Sequence, residues 1–421
     1  MSKGMLFAGS LVGGIDYGSI YQEGLSWLAD REQNLLALVK EISEIPAPTF
    51  AEASRAEHVA DLWEKAAAAG GGQVYIDECG NAIYVWREPP PGKPVLLVTA
   101  HLDTVFPPGT PIKVKHSHGR LFAPGIQDNS VKVAILVELA NLFCRSGLSF
   151  QPDHGLVFAA NVGEEGLGDL RGMKYIINEG IGKKWPIAAA LIFDGDAGLV
   201  CYKGTASRRL QVTYKGPGGH SWGDFGKPSA IEGLGRAIAG IYSLSVPREP
   251  RTTYNVGVVK GGVSVNSIAA EAEMLIDIRS EDPAALAVME EKIRNELDLS
   301  LHREKAAGAG GTGSGAPQET LQMNVAVVGD RPGGRMPDDH SLVQAVREVA
   351  EHHRIKTKML TASTDANVPL SQGIPAVTVG VTAGGRIHTL EEYLEEDSVL
   401  PGAQYALALV LACSRWVVVN G

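Results

Sequence analysis

The sequence predicts an α/β fold, a mostly parallel sheet flanked by helices, with a small α+β domain of ferredoxin-like type inserted into it. Three observations lead there. Short continuous apolar runs at 94–100, 156–162, 188–193 and 375–381 alternate with helical or loop segments, as strands buried on both faces of a parallel sheet do. Between the third and fourth runs the pattern changes: RRLQVTY at 208–214 and EAEMLIDI at 271–278 alternate apolar with polar residues, the mark of strands with one solvated face. With 421 residues the chain also exceeds the roughly 250–300 at which a single core usually splits.

Taken in order, apolar residues at helical spacing predict helices over 33–45 and 55–69, then the strand at 94–100 and a helix over 131–143. Strands at 156–162 and 188–193 complete the first part. The insertion holds the two alternating strands, amphipathic helices over 231–244 and 283–297, and a last alternating strand at 321–328. A helix over 338–352 and the strand at 375–381 close the chain, which places the domains at 1–206 with 332–421 and at 207–331. The stretch AAGAGGTGSGAP at 306–317 cannot bury enough apolar surface to order itself and reads as a surface loop. No Lys-Ser/Thr pair follows its glycines, so it is no phosphate cradle.

Composition narrows the function. With 44% hydrophobic and 20% charged residues the chain is of ordinary globular type. Its net charge of −10, without a long basic run, argues against a nucleic-acid or anionic-membrane partner. No apolar run approaches the roughly 18–20 residues of a spanning helix. The short run Met5-Leu6-Phe7-Ala8 is broken by glycines and has no clean cleavage site after it. Cys79, Cys144, Cys201 and Cys413 are scattered and read as reduced thiols, so a cytoplasmic location is expected.

The chemistry sits at the ends of the apolar runs, where α/β sheets bind their ligands. The first run ends in His101-Leu102-Asp103, the second leads to Glu164-Glu165, the third ends in Asp194-Gly195-Asp196, and the fourth leads through a Gly-rich turn to His388. Asp128 comes from a loop between the first two. Singly, adjacent glutamates are usually a solvated face and Asp before Gly is usually a turn. A His or carboxylate at the mouth of four successive buried strands is a different matter. Imidazole and carboxylate without thiolate suit Zn²⁺, with Co²⁺ or Mn²⁺ as alternatives. Five such ligands exceed one tetrahedral site and suffice for two metals sharing a carboxylate, with one glutamate left as general base.

These residues resemble the di-zinc amidohydrolases and metallopeptidases that include peptidase T, carboxypeptidase G, aminoacylase and succinyl-diaminopimelate desuccinylase. The resemblance runs over nearly the whole chain: HLDTV at 101–105, GIQDNS at 125–130, GEEG at 163–166, FDGD at 193–196, GPGGHS at 216–221, GGVSVNSIAAEAEMLIDIR at 261–279, STDAN at 363–367 and GGRIH at 384–388. It implies that His101 and Asp194 hold one metal, Glu165 and His388 the other, and that Asp128 bridges them. Glu164 becomes the general base, and Asp103 the carboxylate that accepts the free ring N–H of His101. Asp194 is favoured over Asp196 by its position directly after the strand. A cis peptide is implied at Asp128–Asn129. Asn266 and Arg279 resemble the pair that holds the substrate carboxylate or carbonyl, and Ser363 and Asp365 fall in a substrate-binding block.

His220, in the insertion, is implied to enter the active site of a partner subunit and stabilise the oxyanion, which makes the insertion both lid and dimer interface. The chain departs from the family at Asn129-Ser130, where many relatives carry Lys, and at Trp222, where small residues are common. The implied enzyme is a two-zinc di- or tripeptidase, closest to peptidase T-like members. An N-acyl amino acid deacylase with the same centre is the alternative, and a non-catalytic binding protein of the same fold the remote one. An unrelated α/β hydrolase with a serine nucleophile is less favoured still.

Overall fold

In a computed structural model, which describes residues 11–145, 150–307 and 320–420, the four apolar runs become neighbouring strands. They are Ala376–Val379, Ile187–Phe193, Val95–His101 and Gly155–Asn161, in that spatial order, and every contact between them is parallel. Parallel pairing aligns their C-terminal ends at one edge of the sheet, so the residues after each strand emerge together. The flanks are mixed: Ala82–Arg87 pairs antiparallel with Gly155–Asn161, Gln73–Ile76 with Ala82–Arg87, and Leu199–Gly204 with Ala376–Val379, while Leu199–Gly204 also pairs in parallel with Lys358–Ala362. These flanking strands were not anticipated, although Ala82–Arg87 carries the apolar run AIYVW.

The helix over 131–143 has the expected bounds, Val131–Phe143, and nearly every residue in it is buried, which explains its apolar character all round. Ala53–Gly70 packs on the sheet, Glu32–Ser43 packs on Val131–Phe143, and Tyr17–Asp30 adds an unanticipated first helix. The C-terminal helix Val399–Asn420 is apolar and long enough to cross a membrane, a run that the sequence reading passed over. Tyr405, Leu407, Leu409 and Leu411 on it are fully buried, so it is a core helix of this unit. Arg55, also buried, donates from Nε to the Ile45 carbonyl (2.9 Å) and from Nη1 to the Leu102 carbonyl (2.8 Å), tying the chain after Val95–His101 to the segment beneath it.

Contacts divide the chain into Met1–Gly204 with Gly334–Gly421, and Thr205–Gly333. The second unit is a four-stranded antiparallel sheet in the order Thr252–Gly261, Glu271–Ser280, Ala206–Lys215, Gln322–Arg331. Helices Ala230–Ile241 and Pro283–Ala307 pack on it. With each helix between two strands in chain order, this is the ferredoxin-like arrangement. The expected loop at 306–317 falls outside the described residues from 308 onward, and the helix before it runs ten residues past its expected end at 297.

Candidate metal centre

His101 is the last residue of its strand and sits beside Asn161, the last residue of the neighbouring one. Its ring Nδ1 lies 3.0 Å from the Asp103 carbonyl oxygen, an acceptor only, so Nδ1 carries the proton and Nε2 faces the carboxylates. Nε2 is 3.1 Å from Asp128 Oδ1 and 3.9 Å from Asp194 Oδ1. His388 Nε2 is 3.2 Å from Asp128 Oδ2 and 3.0 Å from Glu165 Oε1. Asp128 therefore presents one oxygen to each imidazole. Ligand atoms of His101, Asp128 and Glu165 all lie within 4.8 Å of one another.

The approach of Asp128 is set by its loop. Gly125 has φ +75°, and a Cβ there would come within 2.5 Å of Thr104 Cγ2, so only glycine fits. Asn129 Nδ2 donates to the Phe193 carbonyl at 2.9 Å, which brings the loop to the strand end that carries Asp194. Gln127 Nε2 donates to Asp196 Oδ1 at 2.9 Å, so Asp196 is engaged with the loop while Asp194 faces His101. The Asp128–Asn129 peptide is cis, as the resemblance implies.

Glu392 was not singled out from the sequence. Its Oε1 accepts from the backbone N–H groups of Gln127 (2.8 Å) and Asp128 (2.9 Å), and its Oε2 from that of Gly125 (3.0 Å). Burial pushes its carboxyl up to about 7, against the pull of those three donors. The strand Tyr393–Glu395 that follows pairs with both Gly384–Gly385 and Arg120–Phe122. That small sheet joins the turn bearing His388 to the chain entering the Asp128 loop.

The glutamate turn is held from its backbone. Asp103 Oδ1 and Oδ2 accept from the N–H groups of Glu164 and Glu165, both at 2.9 Å, and Glu52 Oε1 accepts from Gly163 at 3.1 Å. The His101 ring Nδ1 meets the Asp103 carbonyl oxygen at 3.0 Å and its carboxylate Oδ1 at 3.6 Å. The carboxylate also shapes the turn that carries Glu164 and Glu165. Glu52, like Glu392, escaped the sequence reading, since neither stands beside a motif.

Electrostatically this is a pocket for cations. Burial opposes protonation of His101, yet the surrounding Asp103, Asp128 and Asp194 outweigh it and raise the imidazole well above its usual range. Asp128 and Glu165 push His388 up to about 10. Burial works against ionisation of Asp128, but the two imidazoles hold it far below the usual carboxylate range. Lys132, buried two residues after the departure at Ser130, donates to the Gln127 carbonyl, and burial pulls its ammonium below the usual lysine range. Three carboxylates, Asp128, Glu165 and Asp194, against two imidazoles fit divalent cations, with both Nε2 atoms facing inward.

The remaining expected residues fall in two places. Asp365 is buried, with Oδ2 accepting from Asn161 Nδ2 at 2.7 Å, and burial pushes it up to about 7. It is an interior carboxyl, while Ser363 is half-buried on the same segment. His220, Asn266 and Arg279 belong to the other unit and are exposed. The His220 Nδ1 accepts from the N–H groups of Trp222 (3.2 Å) and Gly223 (3.4 Å), which leaves its proton on Nε2. Arg279 Nε bonds Asp277 Oδ2 at 2.6 Å, and Asn266 Oδ1 accepts from Ser264.

The chain is 24% identical over 320 residues to the uncharacterized protein YqjE of Bacillus subtilis, covering 74% of this chain and 79% of that one. In fold it resembles a tripeptidase of Staphylococcus aureus, with a TM-score of 0.71, 20% identity, and coverage of 91% of this chain and 99% of that one. Aminopeptidase PepT of Bacillus cereus gives a TM-score of 0.69 at 20% identity over 90% and 98% of the two chains. Residues 97–412 match the description of peptidase family M20/M25/M40. The chain therefore belongs to peptidase family M20/M25/M40, and it is an enzyme of the metallopeptidase and amidohydrolase class.

Proposed function

We propose that this enzyme hydrolyses amide bonds in small peptides, as a di- or tripeptidase, with two Zn²⁺ ions per subunit. One observation carries the reading: His101, Asp128, Glu165, Asp194 and His388 converge at the ends of parallel strands, and Asp128 offers one oxygen to each imidazole. His101 and Asp194 would hold one ion and Glu165 and His388 the other, with Asp128 between them. Ions so placed lower the pKa of water and polarise a carbonyl. Glu164, on the turn anchored by Asp103, takes the proton of the attacking water and returns it to the amine that leaves. The likeness to a tripeptidase and an aminopeptidase supports a peptide over an acyl amino acid.

The test is amine release from a set of tripeptides against acetylated and succinylated amino acids, with and without chelator. Tripeptides are expected to be cleaved at least about ten-fold faster, a difference of ~1.4 kcal/mol in barrier, and chelation to abolish both activities. Preferential cleavage of the acyl amino acids overturns the peptidase reading.

The oxyanion donor is proposed to be His220 of a neighbouring subunit in a homodimer. Its Nε2–H is free to donate because Nδ1 is taken by two backbone donors. The strand Thr252–Gly261 lies at the margin of its sheet with Val258 and Val259 exposed, and such an edge can pair with a second copy. Mixing inactive His220→Ala and Glu164→Gln proteins under subunit exchange is expected to restore about a quarter of wild-type activity, since half the dimers are mixed and each has one intact site. Absence of complementation in verified mixed dimers sinks the shared-site reading. With four free cysteines among the described residues, we place the enzyme in a reducing compartment, the cytoplasm.

A further inference from the structure

Large apolar side chains left in water are few in the metal-binding unit, and they are unevenly placed. Of six among its described residues, Ile76 (41%) ends the strand Gln73–Ile76 and Val419 (65%) lies in the C-terminal helix, and the other four are Phe50 at 64%, Leu390 at 62%, Leu167 at 55% and Val105 at 39%. Each of these four stands one or two residues from a group that shapes the metal centre. Val105 follows Asp103 by two residues, Leu167 follows Glu165 by two, Leu390 follows His388 by two, and Phe50 is next to Thr49, whose hydroxyl donates to Asp103 Oδ2 at 2.9 Å. Two residues of chain reach at most about 7 Å.

Three of the four are also drawn together by the backbone. Thr49 N–H donates to the Thr104 carbonyl at 3.3 Å, so Phe50 and Val105 leave adjacent segments. Gly168 packs so closely on Thr49 that a Cβ there would lie 2.7 Å from Thr49 Cγ2, which brings Leu167 to the same spot. Phe50 itself has φ +76°, a conformation that a bulky residue rarely adopts. Its ring is nonetheless fixed, because the Arg171 guanidinium lies 5.5 Å from its centroid and is held by Glu52 at 2.8 Å. Strained residues kept in place by their surroundings gather at binding sites, and contiguous exposed apolar surface beside a polar pocket marks a ligand contact.

We infer that Phe50, Val105, Leu167 and Leu390 form an apolar rim of the active site that receives a large apolar side chain next to the scissile bond, so the substrates are small peptides bearing Leu- or Phe-like residues there. The inference rests on the amide-hydrolase reading above and names its substrate class. Burying such a side chain removes apolar area that a small or charged one cannot offer.

The experiment is kcat/KM for matched tripeptides and N-acetyl amino acids that differ only in carrying Leu, Phe, Ala or Glu, measured on the wild type and on Phe50→Ala and Leu390→Ala. The wild type is expected to favour Leu and Phe over Ala roughly 10- to 100-fold. Each variant should lower that ratio at least about three-fold, chiefly through KM for the large side chains. A ratio unaltered in both variants, or equal losses on Leu and Ala compounds, overturns the rim. A wild type that cleaves only the Ala and Glu compounds overturns this inference while leaving amide hydrolysis standing. One that cleaves nothing in the panel overturns both.

Discussion

Replacing Glu164 by Gln is expected to lower kcat by about 10³-fold or more while two metal ions stay bound and the melting temperature stays within a degree or two, a proton-transfer group contributing roughly 10²–10⁴-fold. The clean separation follows from how the turn is built. The N–H groups of Gly163, Glu164 and Glu165 are held by Glu52 and Asp103, so the path of the backbone does not depend on the side chain at 164. An amide has nearly the same shape as the carboxylate but cannot take a proton from water. Steady-state kinetics beside elemental analysis reads both quantities. A variant keeping more than about a tenth of wild-type turnover would remove Glu164 from the role of base.

Asp128→Asn is expected to act earlier, on the metals themselves. Its two carboxylate oxygens stand 3.1 and 3.2 Å from the His101 and His388 rings. An amide offers one oxygen and one N–H₂ group, which can serve one cation and not two. Bound metal should therefore fall from two ions to one or fewer per chain, with kcat down by about 10³-fold or more, as for loss of a principal electrostatic group. Mass spectrometry of the native protein counts the ions directly. Two ions retained at wild-type affinity would show that Asp128 does not bridge. The loop is expected to keep its place, because Glu392 and Asn129 hold it through groups that the substitution leaves alone.

The features legible in the sequence share one property: their signal is local. The helix Val131–Phe143 is bounded by its own apolar run, and the four central strands are continuous apolar segments bounded by polar ones. His101, Asp194 and the glutamate pair stand directly beyond such segments, so their convergence follows once the strands are parallel. Glu392 and Glu52 are different. Glu392 acts on a loop 267 residues away from it in the chain at its farthest bond, and in the sequence it is one of many acidic residues in TLEEYLEED. Asp365 shows another limit: a motif does not say which of its members face inward, and this one is paired with Asn161 in the interior. The C-terminal helix Val399–Asn420 was passed over because its apolar residues are broken by Ser414, Arg415 and small residues, which spread its hydrophobicity over a longer window.

The way the second unit is attached bears on how such enzymes can diversify. The last residues before it and the first after it are hydrogen-bonded neighbours: Gly204 pairs with Gly334 and Lys203 with Arg335, in antiparallel register. The sheet of the metal-binding unit is thus already closed at the point where Thr205–Gly333 departs, as it would be if a tight hairpin stood there instead. Whatever is spliced between those two glycines inherits a fixed pair of anchor points. Both chain crossings leave from that one pair of hydrogen-bonded neighbours.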